Sequence, residues 1–138
     1  MSMESPQSPP DRIAELRTIA MPADTNAYGD IFGGWLLAQM DLAAGSYAIQ
    51  RAHGRVATVG LEAMSFHSPV YVGDQVSCYC RVVRVGNTSI AVHVETWVRR
   101  YRGGPEIKNL KVTEGIFTFV ALNQDGTKRS LPAVEVEA

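Results

Sequence analysis

The sequence predicts an α+β fold in which one long central helix is wrapped by a curved antiparallel β-sheet of five to six strands. Two observations predict it. The only long run with a helical period extends from Asn26 to His53, near the start of a chain of 138 residues. After Gly54 the apolar residues alternate with polar ones, as in strands, and they do so to the end of the fold. A meander of long strands can cover one apolar helix by curling around it.

The predicted helix is apolar on almost every side. From Trp35 onward the run is rich in Leu, Ala and Met, which indicates a helix covered by other protein rather than one lying on a surface. We expect the sheet on one side and a second subunit on the other. Asp30 is predicted to cap the helix start, and Gly54 is predicted to close the helix just after His53.

The strands are predicted from alternation and from the turn residues between them. A short first strand is expected from Glu15 to Met21, where Pro22 ends it, and a polar loop from Ala23 to Asp30 then leads into the helix. The four later strands are predicted at Val56 to Phe66, Gln75 to Val85, Ser89 to Tyr101 and Leu110 to Leu122.

Composition indicates a single domain. The hydrophobic content is 46%, the net charge is −1, and the pI is about 6.3, so the chain lacks the basic surface of a nucleic-acid-binding protein. No apolar run approaches the roughly 20 residues of a membrane span. Residues 1–12 are polar and Pro-rich without the apolar segment of a signal peptide, which predicts a disordered leader in a cytoplasmic protein. We expect one domain over 13–132 and a tail over 133–138 that has two acids and no core signal.

Asp41 is the first candidate for chemistry. Its helical neighbours three and four positions away are small or apolar, namely Leu37, Ala38, Ala44 and Gly45. A carboxylate in such surroundings has two interpretations. It is either a structural group that receives a hydrogen bond, or a desolvated general base or nucleophile.

Gly33 and Gly34 at the helix start also have two interpretations. They either allow close packing against another backbone or leave N–H groups open to hold an oxyanion. Gly33 and Asp41 are eight residues apart, about 12 Å along a helix axis, whereas groups that act on one carbonyl must lie within about 3 to 4 Å of it. One helix therefore cannot supply both groups to one substrate. Two helices packed antiparallel across a two-fold axis can, which predicts a homodimer with shared sites if these residues are catalytic.

Several separate segments then resemble one family, the hotdog-fold acyl-CoA thioesterases of the small bacterial YciA type. The resemblance covers roughly Arg17 to Pro132. It rests on Ala20-Met-Pro-Ala-Asp-Thr-Asn26-Ala-Tyr-Gly-Asp-Ile-Phe-Gly33-Gly34-Trp35, Gln39-Met-Asp41, His53-Gly-Arg-Val-Ala-Thr58-Val, Glu62-Ala-Met-Ser-Phe66, Val72-Gly-Asp74 and Phe117-Thr-Phe-Val-Ala121.

The resemblance implies a hotdog fold and hydrolysis of acyl-CoA esters to the free acid and CoA, with broad or medium-chain preference and without a cofactor or metal. It implies that Asp41 is the catalytic carboxylate, as general base or as nucleophile, and that Asn26 helps to hold the carbonyl or the water. Gly33 and Gly34 would polarise the thioester carbonyl. The family also implies homodimers that often assemble into hexamers.

The resemblance further implies CoA-binding residues, assigned to Arg55, Thr58, Ser65, Ser68, Gly86, Thr88 and Ser89. Because CoA carries several phosphates, the mouth of the site needs local positive charge, and the candidates are Arg55, Arg81, Arg84, Lys108 and Lys111. Similar enzymes carry a basic residue near Ser68 and another near Asn87, and this chain has neither.

Two other functions are alternatives to hydrolysis. A dehydratase acting on 3-hydroxyacyl thioesters usually uses a histidine beside the acid, and the helix has none before His53. The non-enzymatic alternative is a CoA-ester-binding module in which Asp41 only supports the dimer. The three histidines lack ligand spacing, and Cys78 and Cys80 are interpreted as buried small apolar residues.

Overall fold

The computed structural model describes residues 8–101 and 103–138. Its helix and five antiparallel strands confirm the predicted architecture. In chain order the elements are β1 (Leu16–Ile19), a single 3₁₀ turn (Pro22–Asp24), α1 (Gly33–Ala52), β2 (Val56–Phe66), β3 (Gln75–Val85), β4 (Ser89–Tyr101) and β5 (Ile107–Ala121). The bounds of β2, β3 and β4 are those predicted, whereas β5 begins three residues earlier than expected.

The strands lie in the order β1-β3-β4-β5-β2, and α1 packs on one face of this sheet. Gly45 of the helix lies against the Phe119 ring, where an added Cβ atom would make an ordinary van der Waals contact at 3.7 Å. The core between helix and sheet contains Met40, Ala44, Ala48, Val92, Val94, Phe117 and Phe119, all at most 1% exposed. Cys78 and Cys80 are free thiols in the same core, as predicted.

Two apolar surfaces remain uncovered in the single chain. Leu42 and Ile49 project from the helix side opposite the sheet and are 61% and 47% exposed. Strand β2 lies at the end of the sheet order, so one of its edges pairs with no strand, and it exposes Val59, Leu61 and Phe66. A long apolar edge strand favours pairing with another chain. These are the surfaces that the predicted second subunit would cover.

The predicted cap of the helix start is wrong. The residue before the helix is Phe32, which makes no side-chain capping bond, while Asp30 is tied by its backbone to Asn26 in the preceding loop. This local hydrogen bonding moves the first helical residue to Gly33. The predicted end is confirmed, since His53 adopts a left-handed conformation (φ 56°) and the Gly54 N–H donates to the Ile49 carbonyl.

The predicted domain bounds stay predictions, although both ends of the described chain contact the sheet. Residues 1–7 of the expected leader lie outside the described residues, and Arg12 donates to the Cys80 carbonyl at 2.9 Å. The expectation that the tail has no core signal is wrong. Val134 packs against the core, and Glu137 donates its N–H to the Val82 carbonyl at 2.8 Å.

The Glu137 side chain fixes this tail. Its Oε1 accepts hydrogen bonds from the Val82 N–H at 2.8 Å and from the Tyr47 hydroxyl at 2.6 Å. Its Oε2 lies 3.6 Å from an Arg51 guanidinium nitrogen. Residues 133–138, which we call the tail segment, therefore cover the part of the β3 edge that lies beyond the short strand β1.

We expect Glu137→Ala to lower the free energy of unfolding by about 1–2 kcal/mol, because the Val82 N–H and the Tyr47 hydroxyl both lose their acceptor. Urea unfolding at fixed protein concentration measures the change. Glu135→Ala is the matched control, since Glu135 is an exposed acid in the same segment. Equal stability of the two variants would show that the Glu137 contacts do not hold the tail.

Candidate active site

Asp41 lies at the middle of α1, where the helix faces strand β2. The Thr58 hydroxyl donates to Asp41 Oδ1 at 2.7 Å, which fixes the carboxylate and leaves Oδ2 for another donor. Within the single chain Asp41 is partly exposed, so the expected desolvation is not present in the protomer. Desolvation of the Asp41 carboxylate would therefore require a second surface that covers this side of the helix.

Asn26 organises the loop before the helix. Its Oδ1 accepts hydrogen bonds from the Tyr28 N–H at 2.9 Å and the Asp30 N–H at 3.1 Å, and its backbone N–H donates to the Asp30 carbonyl at 2.7 Å. These bonds fix the side chain with its oxygen turned into the loop. The Nδ2 amide therefore remains as a donor for a carbonyl or a water.

The helix start is open at both glycines. The first intrahelical bond runs from the Leu36 N–H to the Phe32 carbonyl, so the N–H groups of Gly33 and Gly34 precede the hydrogen-bonded ladder. Both glycines are exposed, and a Cβ atom added to either would meet no atom within 4 Å. The close-packing interpretation therefore has no support within the described chain, whereas N–H groups at the positive end of a helix suit an oxyanion.

The structure groups the predicted catalytic residues in two places rather than one. Asn26, Gly33 and Gly34 lie at the helix start, while Asp41 and Thr58 lie about 12 Å further along the axis. Within one chain these two groups are too far apart to act on the same carbonyl. The folded chain keeps Gly33 and Asp41 on one continuous helix, at the separation of about 12 Å expected from the sequence.

The predicted CoA-binding residues also divide between the two ends of the sheet. At one end, the Thr88 carbonyl accepts the Ala121 N–H and the Arg55 carbonyl accepts the Leu122 N–H, which brings Arg55 beside residues 86–89. At the other end, Phe66 pairs with Thr113, and Ser65 and Ser68 flank this pair. Because Ser89 pairs with Val120, the two groups are seven β5 positions apart, about 24 Å of strand.

Four of the five basic candidates have acidic or backbone partners. Arg84 Nη2 lies 2.6 Å from Glu62 Oε1, Lys111 Nζ lies 2.7 Å from Glu114 Oε2, and Arg81 Nη1 donates to the Glu137 carbonyl at 3.5 Å. Arg55 contacts the Gln124 carbonyl, and Lys108 lines a groove that also contains Tyr71 and Arg100. Sequence reasoning missed Tyr71 and Arg100, since neither belongs to a motif that points to ligand binding.

The histidines do not join Asp41. The Nε2 atoms of His67 and His93 lie 3.0 and 3.2 Å from the two carboxylate oxygens of Glu114, which Lys111 also contacts. Among the described residues, no group of three or more His, Cys, Asp or Glu side chains is placed to hold a metal ion. Within the same residues, no helix has the length and apolar character needed to cross a membrane.

The Glu114 cluster is expected to make stability depend on pH in the acid range. The hydrogen bond from Lys111, followed by those from His67 and His93, lowers the pKa of Glu114 from 4.5 to about 2. A carboxyl whose pKa is lowered on folding stabilises the protein above pH 4.5, and this contribution is lost as the pH falls from 4.5 towards about 2.

We expect Glu114→Gln to remove about 1–2 kcal/mol of this acid-sensitive stability, a value reduced to allow for solvent screening. Urea unfolding at pH 7 and pH 3 should show a smaller loss of stability for the variant than for the wild type. Glu135→Gln, at an exposed acid, should follow the wild type. An unchanged pH dependence in Glu114→Gln would contradict the assignment.

Comparison with known proteins gives a consistent result. A sequence model described as the thioesterase superfamily matches residues 28–100. The acyl-CoA thioester hydrolase YciA of Salmonella typhimurium is 53% identical over 117 residues, which cover 85% of this chain and 88% of that protein. The Escherichia coli YciA is 51% identical, covering 85% of this chain and 89% of that protein.

Solved structures agree with the sequence comparison. A hexameric broad specificity acyl-coenzyme A thioesterase superposes with a TM-score of 0.84 at 45% identity, covering 91% of this chain and 85% of that chain. A hexameric thioesterase from Yersinia pestis superposes with a TM-score of 0.83 at 46% identity, covering 91% of this chain and 99% of that chain.

Proposed function

Because the chain belongs to the thioesterase superfamily, among the YciA-type acyl-CoA thioester hydrolases with the hotdog fold, we propose that it hydrolyses acyl-CoA esters to the free acid and CoA. One structural observation carries the proposal. A carboxylate fixed at 2.7 Å by Thr58 lies on the same helix as an open helix start, whose first N–H groups pair with no other described residue. These are the two kinds of group that acyl transfer to water needs.

The two halves of the site are proposed to meet in a homodimer. An antiparallel arrangement of two α1 helices, with the free β2 edges adjacent, places the helix start of one protomer beside Asp41 of the other. The same two-fold axis brings the Arg55 end of one sheet beside the Ser68 end of its partner. The two groups of CoA-binding candidates, about 24 Å apart in one chain, would then flank one site. Two identical sites result.

In the proposed reaction, the Gly33 N–H of one protomer, with Gly34 beside it, polarises the thioester carbonyl, and Asn26 Nδ2 holds the carbonyl or the water. Asp41 of the other protomer acts in one of two ways. As general base it takes a proton from water, whose oxygen adds to the carbonyl carbon; as nucleophile it forms a mixed anhydride that water then opens. In both, the C–S bond breaks and the CoA thiolate leaves, which needs no strong acid.

For Thr58 we propose a role other than the CoA binding that the resemblance implies. Its hydroxyl contacts Asp41 directly, so we assign it to positioning of the carboxylate rather than to binding of CoA. Because the hydroxyl donates to Oδ1, it fixes the orientation of the carboxylate that either route uses.

The assembly proposed for the whole protein follows its relatives. Solved relatives with similar folds are hexameric, and we propose that dimers of this chain assemble further in the same way. A broad or medium-chain preference, a cytoplasmic location and activity without an added cofactor complete the proposal.

Release of free thiol from a panel of acyl-CoAs tests this function. The panel runs from short to long chains and includes a branched and an aromatic ester. Turnover of at least one ester supports the hydrolase, and the pattern gives the preferred substrate class. No thiol release from any ester, with CoA esters bound tightly in calorimetry, would instead support the non-catalytic binding module.

A further inference from the structure

A small pocket of about 130 Å³ lies on the sheet face opposite to the helix, where β1, β3, β4 and β5 meet. Its polar lining residues are Arg17, Gln75, Ser77, Tyr79, Arg99 and Asn109. Along β3 the lining residues alternate with Val76 and Cys78, which belong to the core beneath the helix. Successive side chains of a strand point to opposite faces, so the sheet separates this pocket from the helix and from Asp41.

The strand register brings two arginines to this pocket from opposite sides of β3. Arg17 of β1 pairs with Ser77 of β3. Arg99 of β4 pairs with Gln75, two positions away along β3. Two positions correspond to about 7 Å, and the two strands that flank β3 are about 10 Å apart. Asn109 of β5 pairs with Arg99 and adds a second amide side chain to this row. Two guanidiniums and two amides therefore lie around one small space.

The Arg17 guanidinium is fixed before any ligand binds. Its Nε donates to Ser77 Oγ at 2.7 Å, and its Nη2 donates to Tyr79 Oη at 3.3 Å. Ser77 and Tyr79 are each only 6% exposed, so the packed sheet holds both acceptors. Among the described residues, the Nη1 group donates to no acceptor. A guanidinium held in this way loses little conformational entropy on binding, and it keeps N–H groups for a ligand.

The two buried hydroxyls also have donor capacity left. Ser77 Oγ and Tyr79 Oη both accept from Arg17, and a hydroxyl that accepts can still donate its own hydrogen. Neither hydroxyl donates to a residue within 8–101 or 103–138. Because buried donors in folded proteins usually have an acceptor, this arrangement favours a ligand that offers acceptor atoms.

The positive charge of the pocket is not balanced by the described part of the chain. Arg51, Arg84 and Arg100 each form an ion pair with a carboxylate. In contrast, Arg17 and Arg99 form no ion pair with a described acid, and no described acid lines the pocket. Both guanidinium charges are therefore available to an anion, for which charge-assisted hydrogen bonds are the strong ones.

The acid that pairs with Tyr79 across β3 and β4 is already engaged. This acid is Glu95, whose Oε2 accepts from Trp97 Nε1 at 2.9 Å and lies 3.8 Å from Lys111 Nζ. Lys111 belongs to β5, on the side of β4 away from β1. These contacts hold the Glu95 carboxylate towards β5 and leave the Arg17 side of the pocket without a negative charge.

The volume of the pocket limits the size of its ligand. Pockets for drug-sized ligands and cofactors have volumes of about 300–1,000 Å³, so 130 Å³ is too small for a nucleotide or an acyl-CoA. At about 30 Å³ for each water of the liquid, the space holds about four waters. A single tetrahedral oxyanion, with five heavy atoms, is of this size.

We propose that this pocket binds one small tetrahedral oxyanion of the phosphate class. Arg17 is the fixed guanidinium, Arg99 is the mobile one, and the hydroxyls of Ser77 and Tyr79 donate from the buried side. The planar fork of an arginine matches the oxygen atoms of such an anion. The bound anion would connect the short edge strand β1 to β3 and β4, and it would stabilise the folded protein. The site is separate from the proposed hydrolase site and does not depend on that function.

Thermal unfolding of the full chain in increasing inorganic phosphate tests the proposal, at one protein concentration and with chloride replaced to keep the ionic strength constant. We expect Tm to rise and to follow a saturable curve that gives Kd, because the anion binds only the folded state. Sulfate should act like phosphate, and acetate should act more weakly. Arg99→Gln should raise the phosphate Kd about fivefold, the loss of one exposed charge contact. Arg17→Gln should raise it about tenfold or more.

The matched control is Arg84→Gln, which removes an exposed guanidinium outside the pocket and should leave the phosphate Kd unchanged. Arg17→Gln also removes the bonds to Ser77 and Tyr79, so Arg99→Gln decides the test if that variant does not fold. Arg99 is exposed and forms no side-chain hydrogen bond within the described residues. The proposal is overturned if phosphate gives no saturable rise in Tm, if Arg99→Gln keeps the wild-type Kd, or if Arg84→Gln weakens binding equally.

Discussion

Asp41→Asn is expected to lower kcat for acyl-CoA hydrolysis by about 10²–10⁴-fold, the range of a lost general base, and to leave the dimer folded. Asparagine has the shape of aspartate and can still accept the Thr58 hydroxyl at the position of Oδ1. It can neither take a proton from water nor attack a carbonyl. Since asparagine keeps this contact and the volume of the side chain, the substitution should cost little stability. Thiol release gives kcat, and size-exclusion chromatography gives the assembly state.

The matched control for this variant is Asp30→Asn. Asp30 is an exposed acid near the helix start that does not cap the helix, so its change should leave kcat within about twofold. Full activity of Asp41→Asn would remove the carboxylate from the mechanism. Dissociation or unfolding of Asp41→Asn would identify Asp41 as a structural support of the dimer, which is the role expected in a non-catalytic module.

Asp74→Ala is expected to destabilise the protein by about 3–5 kcal/mol, the usual cost of leaving one partner of a buried ion pair uncompensated. The substitution removes both carboxylate acceptors of Arg100, which keeps only the Pro69 carbonyl, and it removes the acceptor of the Tyr71 N–H at 2.9 Å. The Arg100 side chain is 13% exposed, so water cannot fully replace the lost carboxylate. Denaturant unfolding at one protein concentration measures the loss, because assembly contributes to the apparent stability.

Glu62→Ala provides the comparison, since Glu62 forms the shorter ion pair with Arg84 at 2.6 Å but both side chains are more than half exposed. We expect it to cost less than about 1 kcal/mol. Equal losses for the two variants would show that burial does not decide the strength of these pairs here. Asp74→Asn, which keeps an acceptor for Tyr71, should fall between Asp74→Ala and the wild type.

The sequence was sufficient for the parts of the fold that depend on local pattern. The bounds of β2, β3 and β4 were predicted because each strand alternates and ends at a turn or at Pro69. The helix start was misplaced because Asp30 has the chemistry of a capping residue. The structure instead uses its backbone in the loop that Asn26 organises.

The parts that were missed depend on contacts between residues far apart in the chain. The tail segment has no periodicity, and only the folded structure brings Glu137 to Val82 and Tyr47. The bond between Thr58 and Asp41 depends on how the helix lies across β2, which composition does not encode. The sequence likewise does not reveal the pair of Arg100 and Asp74, because the two residues are far apart in the chain. In the folded protein the Asp74 carboxylate holds the Arg100 guanidinium in place.

The coverage of the sheet edges has a consequence for polymerisation. One side of the sheet ends in the four-residue strand β1, and beyond it the tail segment occupies the β3 edge, so this side offers little template for another chain. Within residues 8–101 and 103–138, β2 alone presents a long free edge. When two β2 edges pair, each satisfies the free backbone groups of the other. The resulting ten-stranded sheet has no further long edge at which another chain could pair. Addition of chains by strand pairing therefore stops at the dimer. Loss of the tail segment would uncover the β3 edge, and further chains could then add to the dimer there.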